Sequence, residues 1–126
     1  MKRQREEYSY GSEHSVAALA PRCYNSIMKY GLFGKFIAKE NYRDELVDIL
    51  LKAAELLQKN EQCLSYIVGT SDDPSEVWVS ELWESKEAHD MSLEPEDIRN
   101  LVMTARPLIV DMPAGTEFKA VGGKGL

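Results

Sequence analysis

From Gly31 onward the chain switches between two hydrophobic periods, and the switches mark out its elements. Residues 31–39 (G-L-F-G-K-F-I-A-K) have the short apolar run of a strand. Leu46, Ile49, Leu50, Ala53 and Leu57 then recur at i, i+3, i+4, i+7 and i+11, which is one face of a helix predicted over 42–59. Asn41 is its expected N-cap, and Asp44 and Glu45 complement the dipole in the first turn. Residues 63–69 return to strand composition, 70–75 (T-S-D-D-P-S) are turn chemistry, and 77–83 alternate again, so these two strands form a hairpin. Ser85 is an N-cap for a short helix to Leu93. Pro95 suits the first position of another, which runs to about Ala105 with Ile98, Leu101, Val102 and Ala105 on its buried face, and Pro107 ends it. A last strand covers 108–112 and 116–121, interrupted at Pro113-Ala114-Gly115.

The order is β-α-β-β-α-β. It predicts an α+β domain of the ferredoxin-like kind, with a four-stranded antiparallel sheet and two helices on one face. Such a sheet leaves its other face open, yet both faces of these strands are apolar: Phe33 and Ile37 against Leu32 and Phe36, Trp78 and Leu82 against Val77, Val79 and Trp83. Something has to cover the second face. A second copy of the chain, packed sheet to sheet, does so with isologous symmetry; the N-terminal segment folding across the sheet is the other way to do it. That segment, residues 1–29, lacks periodicity and opens with a charged run, so it is expected to be a poorly ordered arm preceding a domain over 30–126.

Composition narrows the partners. The formal charge is −6. Residues 1–30 hold five Lys/Arg and three Asp/Glu, leaving ten and eighteen beyond them, so the predicted domain is the acidic part. An acidic surface repels phosphate backbones and anionic lipid, which argues against nucleic acid and membrane as partners. No apolar run approaches the roughly 18 residues of a membrane span. Cys23 and Cys63 are too few for a zinc site or a disulfide framework, and free thiols point to the cytoplasm.

Motifs are sparse. No G-x-G-x-x-G follows a strand, and the terminal G-G-K-G lacks the spacing of a phosphate loop. With His14 in the arm, His89 is the one usable histidine, so neither an imidazole metal site nor a Ser/His/Asp arrangement is legible. What remains is the corner V-W-V-S-E-L-W-E-S-K-E-A-H-D-M-S-L over 77–93. Trp83 ends a strand there, and His89 lies one to two turns into the helix that follows. The pair outlines a pocket; the same pattern is also that of a core tryptophan and a half-exposed helix histidine. Glu81 shares the face of Val77, Val79 and Trp83. A carboxylate among apolar neighbours has its pKa raised and can act as acid or base, unless it pairs with a lysine or arginine or lies at an interface.

The β-α-β-β-α-β order, E-L-W-E-S at 81–85, E-A-H-D-M-S-L at 87–93 and A-R-P-L-I at 105–109 together resemble the antibiotic biosynthesis monooxygenase domain family, in particular its quinol monooxygenase type. The resemblance covers about residues 30–125. It implies a dimeric α/β barrel and oxygenation of quinol-like phenols with no metal, flavin or haem, the substrate supplying the electrons. Trp83 matches the tryptophan that ends the hairpin strand and lines the pocket in such enzymes, and His89 falls near a helix position that faces it. This chain departs from the pattern in two places. Residues 77–82 lack the asparagine of the antibiotic-tailoring members, and Ser92 stands where many members carry a histidine. Haem-degrading relatives need an Asn, Trp and His set; Ser92 and Val102 stand near the Trp and His positions, which disfavours haem cleavage.

The expected function is a cofactor-independent monooxygenase acting with O2 on a small aromatic quinol or phenol. The expected site has His89 as the catalytic base and Trp83, Glu81, Ser92 and Phe36 as the substrate pocket, with no cofactor and no metal. Two alternatives stay open: a proton-transfer isomerase of a small dione-like substrate, and a non-catalytic dimeric module that binds a small ligand.

Overall fold

A computed structural model describes residues 28–126, and its elements lie within the compact unit Lys29–Ala120. The expected N-terminal arm therefore falls outside the described residues, save for its last two. In chain order the elements are β1 (Lys29–Ala38), α1 (Arg43–Leu57), β2 (Cys63–Thr70), β3 (Glu76–Trp83), α2 (Lys86–Met91), α3 (Glu96–Ala105), a 3-10 turn (Arg106–Leu108), β4 (Ile109–Asp111) and β5 (Thr116–Ala120). The sheet runs β2-β3-β1, with β4 and β5 both antiparallel to β1 along its remaining edge. β4 meets Ile37 and Ala38, and β5 meets Lys29 to Phe33, so the two are halves of one edge strand. Pro113, which has no N–H to donate, falls in the gap between them. This is the α+β ferredoxin-like order, with the second helical position divided between α2 and α3.

Side-chain periodicity carries into the core. Leu46, Ile49 and Leu50 of α1 pack on Ala38, Val77 and Val79 of the sheet, on Ala105 at the end of α3 and on Leu108 just beyond it. Leu46 and Val77 are fully enclosed at 0 % exposure, each burial contributing roughly 1.5–3 kcal/mol. No element among the described residues covers the opposite sheet face. Phe33 stacks on Trp78 with ring centroids 5.2 Å apart, and Phe33, Ile67 and Phe118 are exposed. Phe118 lies directly over Gly31: a Cβ on that glycine would come within 2.4 Å of the Phe118 ring.

Three boundaries differ from those expected. Asn41 is not the N-cap of α1. It has φ 72°, turning the chain out of β1 in the left-handed region that Asn tolerates, and Tyr42 caps without a side-chain hydrogen bond. Pro95 is the N-cap of α3 rather than its first helical residue. α2 stops at Met91, two residues short of Leu93, with Ser92 as its C-cap. Ser85 does cap α2, its hydroxyl accepting from the Ala88 N–H at 3.0 Å.

Candidate functional site

Alternation along β3 turns Val77, Val79, Glu81 and Trp83 to the helical side of the sheet, where the first two fill the core and the last two border open space. Ser85 then starts α2 so that His89, one turn in, faces back toward β3; the His89 N–H bonds the Ser85 carbonyl at 3.2 Å. The result is a cavity of about 680 Å³ between the sheet, α1 and α3. All five expected residues, Phe36, Glu81, Trp83, His89 and Ser92, line it. Its remaining wall is mostly apolar, with Ile49 and Leu50 from α1 and Ile98 and Leu101 from α3.

The polar groups are few and connected. Trp83 is 1 % exposed, and its indole N–H donates to Glu81 Oε1 at 2.9 Å. His89 Nε2 stands 3.7 Å from that same oxygen, and the His89 ring meets the Trp83 ring edge-on at 5.5 Å and 82°. On its other side, His89 Nδ1 lies 3.0 Å from Asp90 Oδ1. Ionised Asp90 can only accept, so a neutral His89 carries its proton on Nδ1 and turns the Nε2 lone pair toward Glu81 and the cavity. Glu81 therefore pairs with an indole and an imidazole, not with a lysine or arginine, among the described residues. Burial raises its carboxyl above the ordinary range, opposed by the Trp83 hydrogen bond and by positive charge on His89.

Ser92 lines the cavity, but its hydroxyl donates to the His89 carbonyl. It therefore closes the end of α2 and is not a free proton acceptor.

Pattern alone did not mark Tyr66, Asp90 or Tyr30. Tyr66 lies directly across from Glu81 in the β2–β3 ladder and lines the cavity. Burial and the Glu81 charge push its phenol up, so it remains a donor. Tyr30 packs beside His89 at 5.7 Å and donates to Glu117 at 2.9 Å. Desolvation and the Glu117 carboxylate push it up to about 12. Neither tyrosine can serve as a phenolate base near neutrality. Among the described residues, no three His, Cys, Asp or Glu side chains gather where they could hold a metal. None of the described helices is long and apolar enough to cross a membrane.

Comparison with known proteins places the fold and the family. Among solved structures, a Chloroflexus aurantiacus J-10-fl protein named for antibiotic biosynthesis monooxygenase shares 36 % identity at a TM-score of 0.70, the match covering 75 % of this chain and 95 % of that one. A Deinococcus radiodurans protein of the same name is 19 % identical at a TM-score of 0.65, covering 75 % and 94 %. A Mycobacterium tuberculosis protein is also 19 % identical at 0.67, covering 76 % and 98 %, and at such identity these two share the fold. No curated protein matches. Residues 30–102 match the family model described as antibiotic biosynthesis monooxygenase, and with more than half of the chain inside that match, this protein belongs to the antibiotic biosynthesis monooxygenase family.

Proposed function

We propose that this chain is a monooxygenase that needs no cofactor and oxygenates a small aromatic quinol or phenol, with His89 as its base. The observation that carries the reading is an imidazole held at Nδ1 by Asp90, with its Nε2 facing Glu81 at the wall of a mostly apolar cavity. His89 Nε2 takes the phenolic proton, and the phenolate passes one electron to O2. The radical pair recombines to a carbon–oxygen bond, giving a peroxide. Loss of water from that peroxide leaves a carbonyl: one oxygen atom stays on the product, the other leaves as water, and the substrate supplies all four electrons. Apolar walls keep water from the charged intermediates. Trp83, Phe36 and Tyr66 hold a flat ring, and Glu81 shares the transferred proton.

The working form we propose is a homodimer packed through the open sheet face, where Phe33 at 44 %, Phe118 at 45 % and Ile67 at 61 % exposure leave apolar area for a second copy. A stable interface there buries upward of about 1,000 Å² in total. Cys63, a free thiol, accords with a cytoplasmic setting, and the arm at 1–29 is then an appendage to the catalytic domain.

Oxygen uptake over a panel of hydroquinones tests the reading. The protein consumes O2 with at least one of them, and His89→Ala lowers turnover roughly 10²-fold, the usual share of a positioned base. No uptake with any quinol, or full activity in His89→Ala, refutes it. Proton exchange into a dione without O2 uptake would favour the isomerase, and ligand binding without either reaction the non-catalytic module.

A further inference from the structure

Among the described residues, Arg106 is the one permanently cationic side chain that lines the cavity. It opens the 3-10 turn directly after α3 and is exposed. Three lysines of the sheet and α2 are ion-paired: Lys29 with Glu84 at 2.7 Å, Lys35 with Glu76 at 2.8 Å, and Lys86 with Glu117 at 3.5 Å. Among the described residues Arg106 has no carboxylate within ion-pairing distance and donates no side-chain hydrogen bond, although acidic residues outnumber basic ones in this chain. The rest of the lining is mostly apolar and in part reaches the surface, with Leu93 at 47 %, Val102 at 38 % and Met112 at 62 % exposure. The mouth thus offers a planar fork of donors set in an apolar rim, and the interior offers a base. A flat ring with an anionic substituent matches both, because a guanidinium takes a carboxylate through two parallel hydrogen bonds.

We propose that the substrate is an aromatic acid, a phenol or quinol whose ring lies in the cavity and whose carboxylate is held by Arg106. This rests on the reading of the cavity as a quinol site and adds the class of quinol. Arg106 is then a specificity residue: it selects among phenols and takes no part in moving the proton.

Calorimetric titration under anaerobic conditions separates the two claims, since binding is read without turnover. The probes are 1,4-dihydroxy-2-naphthoate and its neutral methyl ester, titrated into the full chain, Arg106→Met and Arg106→Lys. The acid is expected to bind the unaltered protein about five- to tenfold more tightly than the ester, and the preference should weaken as salt is added. Arg106→Met should abolish that preference while leaving ester affinity unchanged, and Arg106→Lys should keep part of it. Acid and ester binding equally to the unaltered protein overturns the proposal while leaving the quinol site standing. So does a lower Tm in Arg106→Met with the preference intact, which would make Arg106 a helix-end residue only. If neither probe binds while another hydroquinone of the panel supports O2 uptake, the aromatic-acid proposal falls and the quinol site stands; if none supports uptake, both fall.

Discussion

Replacing Trp83 by Phe separates the two things that the indole does. It fills the corner between β3 and α2, and it supplies the one N–H that the Glu81 carboxylate accepts there, at 2.9 Å. Phenylalanine keeps most of the filling and deletes the donor. A hydrogen bond to a charged acceptor contributes about 1.5–3 kcal/mol. The smaller ring adds about 1 kcal/mol of cavity cost, at the low end because the indole already borders open space. The loss at pH 8 is therefore about 3 kcal/mol, a fall in Tm of roughly 10 °C or more for a domain of this size. At pH 5 the loss is smaller, because a carboxyl raised by burial is protonated to a greater extent there than at pH 8 and presents less unpaired charge. A double-mutant cycle with Glu81→Gln isolates the hydrogen bond, since a neutral amide keeps the shape and needs less of the donor. Chemical denaturation of the four proteins at both pH values should give a coupling above about 1 kcal/mol at pH 8. Additivity within about 0.5 kcal/mol, or an equal loss at both pH values, would refute the account.

Glu81→Gln by itself should change the pH dependence of stability in a stated direction. The folded-state pKa is raised above the unfolded value of 4.5, so the unfolded chain ionises first and wild-type stability declines as pH rises from there through the folded pKa. The variant lacks that decline: the two proteins should differ least at pH 4, and Glu81→Gln should melt higher near neutrality; melting curves that stay parallel from pH 4 to 8 would contradict it. Phe33→Glu puts a charge on the open sheet face beside Trp78, and light scattering should report a monomer where the unaltered chain gives a dimer. A wild-type monomer at micromolar concentration, or an undisturbed dimer in the variant, ends the sheet-to-sheet proposal.

What the sequence could show was what is local. The β3–α2 corner was legible because period-two alternation fixes which side chains share a face, and Ser85 fixes where the helix starts; neither depends on distant contacts. Asn41 misled for a physical reason, since the short amide that makes a good N-cap is also the side chain most at ease at positive φ. Trp83 as the donor to Glu81 was open to the same alternation rule, two residues apart on one face, but charge-pairing habits pointed to a lysine or arginine instead. Tyr66 was out of reach. Counting along β2 from the Cys63–Trp83 pair by simple alternation puts Tyr66 opposite Ser80, on the open face. A bulge between Cys63 and Ser65 shifts the ladder by one residue and turns Tyr66 into the cavity opposite Glu81. Nothing in the composition of that strand announces the bulge.

That one-residue shift also bears on why a costly carboxylate persists at Glu81. Oxygenation through a radical pair needs a dry chamber, and a base that works more than once needs an exit for its proton. These requirements conflict, because any group that carries protons also attracts water. Here the polar atoms form a single file. Glu81 is at the cavity wall with its side chain 14 % exposed, His89 is next at 16 %, and Asp90 stands at the surface at 57 %. Tyr66, held neutral by the same burial, adds a donor without adding a charge. On the proposed chemistry, a proton taken by Nε2 is balanced by Glu81 on the inner side and one is released from Nδ1 through Asp90 on the outer side, the ring returning to its Nδ1–H tautomer by proton exchange before the next turnover, while the apolar wall stays unbroken. The stability lost by burying Glu81 is then the cost of a proton path one side chain wide. Removing Asp90 should slow proton release with no effect on how the ring is held, so Asp90→Asn should lower kcat and leave KM unchanged. A rise in KM with kcat intact would show the file to be no path at all.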